Sequence, residues 1–171
     1  MTGNSAINLD DEWRRVGVGV GDVVVSQNAR DLLTTNRPVG SCVAVYLWDP
    51  ESRVGGVLHF EWPDSKSDPS RAVTEPAVFA DTGVMLLLER AGVMGATRGR
   101  CKVRLVGGAD IRDRAESDRI AKRNILAARS VLWRSGIFVD GEEVGGTRAR
   151  KATLSVSDGQ LSVVLDESTQ T

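Results

Sequence analysis

His59 is the only histidine in the 171-residue chain, and that decides which chemistries its residue types allow. A zinc site would have to combine it with Cys42, Cys101 and a carboxylate, none at paired-ligand spacing, so no metal is expected. The 23 acidic residues offer carboxylate pairs for acid–base work, yet no motif selects one. What remains is a cysteine nucleophile served by the one imidazole. A free thiol is mostly protonated near neutral pH, and a neighbouring base that accepts its proton yields the reactive thiolate. Gly40-Ser41 before Cys42 suits such a site, because glycine permits close approach of a substrate and nearby amides can stabilise an oxyanion. The plainer alternative makes Cys42 the start of a buried strand and His59 a structural histidine. Cys101 reads as a buried strand residue.

Register decides whether the two can meet. Cys42 to Trp48 reads as a buried strand, Asp49-Pro50-Glu51-Ser52 carries turn chemistry, and Val54 to Phe60 reads as a second strand, which together make a β-hairpin. A two-residue loop at Pro50-Glu51 would set position 59 opposite Cys42, but proline cannot take the positive φ of a type I′ turn. A four-residue loop, Pro50 to Arg53, is expected instead. It places His59 opposite Ala44, on the face of Cys42 and diagonal to it, at about 7–8 Å between backbone positions. A loop of odd length would send the two side chains to opposite faces.

The remaining elements follow from the same signals. Residues 1–15 show no periodicity and read as a flexible N-terminal arm. Val16 to Val25 reads as a strand whose glycines mark close approach or a bulge. Its Gly-Val repeat lies inside strand-like sequence, so it is no dinucleotide fingerprint and no cofactor is expected. Pro63 to Arg71 is a candidate exposed loop, and Pro76 opens a helix through Arg90 with Gly92 just past its end. Cys101 to Val106 reads as a strand. Ala121, Ile125, Ala128, Leu132 and Ser135 recur at helical spacing in a second helix from about Asp118, which can cap its start, to Ser135, with Gly136 at its end. Ala152 to Ser157 and Gln160 to Leu165 flank Asp158-Gly159, predicting a hairpin with a type I′ turn. Gly107-Gly108 and Gly145-Gly146 are assigned to turns, and Tyr46, Phe60 and Trp62 to packing. The expected class is α+β: a largely antiparallel or mixed β-sheet core flanked by about two main helices, in one domain over 16–165 with a tail at 166–171.

Composition bounds the partners. Apolar residues make up 41% and charged residues 26%, as in ordinary globular domains. No run reaches the roughly 18 apolar residues of a membrane span, and the polar start lacks a secretory signal, so a cytoplasmic protein without membrane insertion is expected. A net charge of −1 gives no global electrostatic case for nucleic acid. From Arg98 to Lys151 there are 14 basic and 7 acidic residues, an asymmetry read as a solvated surface. Two distant cysteines make no disulfide framework and point to a reducing compartment.

Several segments, in order, carry a family resemblance. Gly40-Ser41-Cys42-Val43-Ala44-Val45, Asp49-Pro50 and Val54-Gly55-Gly56-Val57-Leu58-His59 resemble the nucleophile and histidine segments of the CheD family, the chemoreceptor glutamine deamidases. Val18-Gly19-Val20-Gly21-Asp22, Pro63-Asp64-Ser65, Phe79-Ala80-Asp81-Thr82, Lys102 through Ala109, Arg123-Asn124 and Gly145 to Arg150 continue the likeness over roughly residues 16–165. The resemblance implies that Cys42 attacks the side-chain amide of a receptor glutamine, ammonia leaves, and water hydrolyses the thioester to glutamate, with His59 moving the protons. It implies methyl-accepting chemotaxis receptors as substrates and a CheC-type phosphatase as a further partner. The family's third catalytic position is a threonine six residues before the cysteine. Asn36 stands there in this chain, with Thr35 just upstream, so either fills the third role. The alternative that this departure raises is a CheD-like binding module with weak turnover or none. Arg148 and Arg150 are candidates for contact with an acidic receptor surface.

Overall fold

The valine–glycine run near the start makes two strands rather than the one expected. In the computed structural model, which describes residues 12–111 and 115–169, β1 (Arg14–Val18) and β2 (Asp22–Ser26) are separated by a turn in which Gly21 takes a φ of 83°. Asp22 closes that turn by accepting the Gly19 N–H at 2.9 Å. Most of the expected arm thus lies outside the described residues, and β1 begins inside its last stretch. The chain continues through β3 (Asp31–Thr35), β4 (Val43–Asp49), β5 (Val54–Phe60), α1 (Pro69–Thr74), α2 (Ala80–Val93), β6 (Lys102–Gly107), α3 (Ala115–Arg134), β7 (Gly141–Val144), β8 (Arg150–Ser155) and β9 (Leu161–Leu165).

The strands form two mixed sheets. One has the order β1-β3-β8-β9, with β1 and β3 parallel and the other pairs antiparallel. The other has the order β2-β5-β4-β6-β7, antiparallel except for the β6–β7 pair. The fold is α+β, as expected.

Alternation along β4 and β5 sorts side chains into two cores. Val43, Val45, Leu47, Leu58 and Phe60 pack with Val84 and Leu87 of α2 and with Ile125 and Leu132 of α3. Ala44, Tyr46 and Val57 pack with Val18, Leu33 and Leu154 of the four-stranded sheet. The molecule is therefore layered as sheet, sheet and helices, and the central hairpin is buried on both faces.

That hairpin has the expected four-residue loop. Asp49 pairs with Val54, leaving Pro50 to Arg53 as the loop, and Arg53 takes a φ of 56°. Asp49 is fully buried and accepts the amides of Glu51 and Ser52 in the loop, the amide of Thr97, and both arms of the Arg100 guanidinium.

Several elements differ from expectation. The short strands β3 and β7 were not anticipated, and α1 forms within the polar loop, where the Asp68 side chain caps it by accepting the Arg71 amide. Pro76 opens a short 3-10 turn, after which α2 runs past Gly92 to Val93. Helix α3 starts ahead of Asp118, which therefore lies inside it, and Gly136 follows its end with a φ of 75°. Between β8 and β9 the turn is longer than two residues: Ser155 donates to Gln160 O, and only Gly159 has a positive φ, which excludes type I′.

Candidate active site

Cys42 lies one residue before β4, half-buried against the inter-sheet core, and His59 is the penultimate residue of β5 with 2% of its surface exposed. The ladder pairs Ala44 with His59 and Val43 with Phe60. His59 shares the face of Val57 and Ala44, and by alternation Cys42 lies on that face too. The structure thus brings the two expected residues to one sheet surface, diagonal to each other.

Backbone contacts fix each of them. The His59 carbonyl accepts the Gly21 N–H at 2.7 Å, and β2 pairs Asp22 with His59 from the far side. The Cys42 carbonyl accepts the Gly108 N–H at 2.7 Å, and the Gly40 carbonyl accepts the Ala109 N–H at 2.8 Å. Gly107, at a φ of 113°, must be glycine, because a Cβ there would collide with the Cys42 carbonyl and with Val39. Gly107-Gly108 therefore does more than make a turn: it carries the peptide of Cys42.

Both side chains rest in their neutral forms. Burial pushes the Cys42 thiol up to about 11, with the Glu61 charge adding to the rise and its own backbone N–H opposing it. Burial pushes His59 down to about 4, against the Val18 carbonyl and the Asp22 charge, which pull it back up. Among the described residues neither ring nitrogen has a partner at hydrogen-bond geometry, the Val18 carbonyl acting on the ring without completing a bond. The pair at rest is thiol and imidazole, not thiolate and imidazolium.

The two residues weighed for the third role differ sharply. Asn36 is exposed just past β3; its amide donates to Val18 O at 2.9 Å and its side chain lies over Gly17, making no hydrogen bond to His59 among the described residues. Thr35 ends β3 on the buried face shared with Leu33, which meets the His59 side of β5 across the inter-sheet core. Its hydroxyl lies near that of Tyr46 and is buried without a partner, Tyr46 instead donating to Ala152 O at 3.0 Å.

Asn124 of α3 was passed over as chemistry. It is fully buried, and its Nδ2 donates to Ser41 O at 3.0 Å and to Glu61 O at 2.8 Å. The signal that could have found it is a carboxamide beside Ala121, Ile125 and Ala128 in an otherwise apolar stripe.

Next to this centre, Trp62, Pro63, Arg71, Phe79, Ile120 and Arg123 line a groove of about 310 Å³. Trp62 is thus partly open, whereas Tyr46 and Phe60 are packing residues as expected. Arg150 donates to Gly145 O and is tied to its own loop. Among the described residues no cluster of three His, Cys, Asp or Glu could hold a metal ion, and no helix is long and apolar enough to cross a membrane.

Comparison with known proteins gives consistent matches. The family described as CheD chemotactic sensory transduction matches residues 62–164. A probable chemoreceptor glutamine deamidase CheD of Solibacter usitatus is 41% identical over 144 residues, 84% of this chain and 85% of its own length. A second, from Syntrophus aciditrophicus, is 38% identical over 146 residues, 85% of this chain and 91% of its own. A solved structure, that of Neisseria meningitidis protein NMB0706, superposes with a TM-score of 0.45 at 13% identity, over 79% of this chain and 63% of that one, a likeness too loose to argue from.

Proposed function

Because the chain belongs to the CheD family, we propose that it hydrolyses the side-chain amides of glutamines in chemoreceptors, with Cys42 as nucleophile and His59 as the group that moves the protons. The enzyme is a chemoreceptor glutamine deamidase. The observation that carries the assignment of Cys42 and His59 is the β4–β5 register, which puts them on one face.

His59, neutral at rest, accepts the Sγ proton as sulfur attacks the amide carbon, so the thiolate forms during attack rather than before it. The imidazolium then gives its proton to the departing nitrogen, which leaves as ammonia. Water adds to the thioester with His59 again as base, and collapse releases glutamate and restores the thiol. The Cys42 N–H, which already favours negative charge on its own sulfur, is a candidate donor for the oxyanion.

For the third role Thr35 is better supported than Asn36, since an unpartnered hydroxyl on the inter-sheet face can turn to an imidazole that also lacks a partner. The cytoplasm as compartment and a CheC-type phosphatase as partner are further parts of this proposal, resting on the family likeness.

The test is incubation with a receptor cytoplasmic fragment, read by mass spectrometry for exchange of glutamine amide for carboxylate. Cys42→Ala should abolish the exchange and His59→Ala should slow it by about 10²–10⁴-fold. Thr35→Val should slow it more than Asn36→Ala. No exchange on any receptor by the wild type would overturn the assignment and leave a binding module.

A further inference from the structure

The β4–β5 ladder stops at Val43 and Phe60, and Cys42 lies one residue beyond it. Past that point register alone no longer sets how far the two chains stand apart. On one side the Gly108 and Ala109 amides hold the nucleophile's segment to the continuation of β6. On the other, the Glu61 and Trp62 amides both donate to Val78 O. Among the described residues, Asn124 spans the gap itself, since a single side-chain nitrogen donates to Ser41 O, before the nucleophile, and to Glu61 O, after the histidine's strand.

The orientation of that carboxamide is unambiguous. Both partners are carbonyl oxygens, so the nitrogen must face them, and Oδ1 is left buried without a partner. An orphaned carbonyl oxygen in the interior is unfavourable, and packing alone would be served better by an apolar side chain. The two donated bonds are what the side chain supplies there.

We propose that Asn124 is a positioning residue of the deamidation. Its amide replaces the ladder bond that β4 and β5 no longer make and so sets the approach of Sγ to the imidazole. It also fixes the peptide that carries Glu61, whose charge acts on the thiol, while Asp22 acts on His59 from β2. Asn124 acts through the backbone of Ser41 and Glu61 and touches no reacting atom. The role rests on the reading that Cys42 and His59 react together.

The experiment compares the full-length wild type with Asn124→Asp, which keeps the size but cannot donate to both carbonyls at once whether ionised or protonated, and Asn124→Ala. Steady-state deamidation of a receptor fragment is measured alongside the pH profile of iodoacetamide alkylation at Cys42, read on the Cys42 peptide so that Cys101 does not interfere. In the folded variants kcat should fall by about 10–100-fold with KM little changed, and the alkylation profile should be displaced. If Asn124→Ala does not fold, Asn124→Asp carries the test. A folded Asp variant with wild-type kcat, a loss confined to KM, or an unmoved alkylation profile would overturn the role. If the wild type itself leaves the receptor untouched while the profile still moves, the deamidase reading falls, and Asn124 stands only as the residue that positions the Cys42 thiol beside His59.

Discussion

At the scale of single residues, burial does opposite things to an acid and a base and leaves both uncharged. The thiol is raised to about 11 and the imidazole lowered to about 4, so across neutral pH the resting pair is already in the form that general-base attack needs. Protonation of His59 removes the acceptor for the Sγ proton, and in the free enzyme that happens as pH falls through its folded value. The acid limb of kcat/KM should therefore lie near pH 4 rather than at the ordinary 6.5. Asp22→Asn, which removes the carboxylate that pulls His59 upward from the paired strand, should move the limb lower still. A pH–rate series on the wild type and this variant checks both. A limb near 6.5 would mean that His59 is more hydrated than its 2% exposure implies.

At the scale of elements, the hairpin shows how far the sequence could be read. Pro50 disfavours the type I′ two-residue turn on steric grounds and points to a four-residue loop, which the pairing of His59 with Ala44 bears out; a loop of odd length stayed open in the sequence and only the ladder excludes it. The elements that escaped reading have weak or conflicting local signals. β7 is a polar, parallel edge strand of the sequence Gly-Glu-Glu-Val, specified by its ladder with β6 and by contacts such as Arg104 to Glu143 rather than by propensity. β1 and β2 looked continuous because the valines run on, and the break is visible only as Gly21 in its positive-φ turn. Asn124 stood out only as a carboxamide in an apolar stripe, and what it holds was illegible because its partners are 83 and 63 residues away. Asp49 anchors the hairpin's register end. Burial favours its neutral form, yet Arg100 and the Thr97, Glu51 and Ser52 amides overcome that and hold its carboxyl well below the usual range. Asp49→Ala would leave the three amides without their acceptor and Arg100 with only Gly95 O and Glu51, and should destabilise the fold by about 1–3 kcal/mol. Urea unfolding checks the size, with Asp49→Asn expected to lose less because its amide oxygen still serves the loop amides.

At the scale of the whole molecule, placing the proposed reacting pair against the core between two sheets ties the proposed catalysis to stability. An imidazole that stays neutral in the fold binds its proton only near pH 4, whereas the unfolded chain binds it near 6.5. Between those values the unfolded state holds more protons, so stability must rise with pH across that window, by at most roughly 3 kcal/mol for the full shift. Asp31 and Asp49 act elsewhere. Their carboxyls are depressed from 3.8, Asp31 chiefly by Arg14 and Asp49 by Arg100 against its burial, so what they contribute is lost only as pH falls below that value. At the alkaline end the signs reverse. The unfolded thiols ionise near 9.0 while Cys42 and Cys101 resist to about 11, Cys101 chiefly through burial, so stability declines as pH rises between the two. Thermal unfolding followed from acid to alkaline pH should therefore give a plateau between two slopes. His59→Gln, which keeps a polar group in the site but cannot titrate, should flatten the slope between 4 and 6.5, leaving the decline below 3.8 in place. Cys42→Ala should reduce the alkaline slope and leave the acid one alone. If His59→Gln retained the full loss between 4 and 6.5, the imidazole would not be the buried neutral base on which the proton transfer depends.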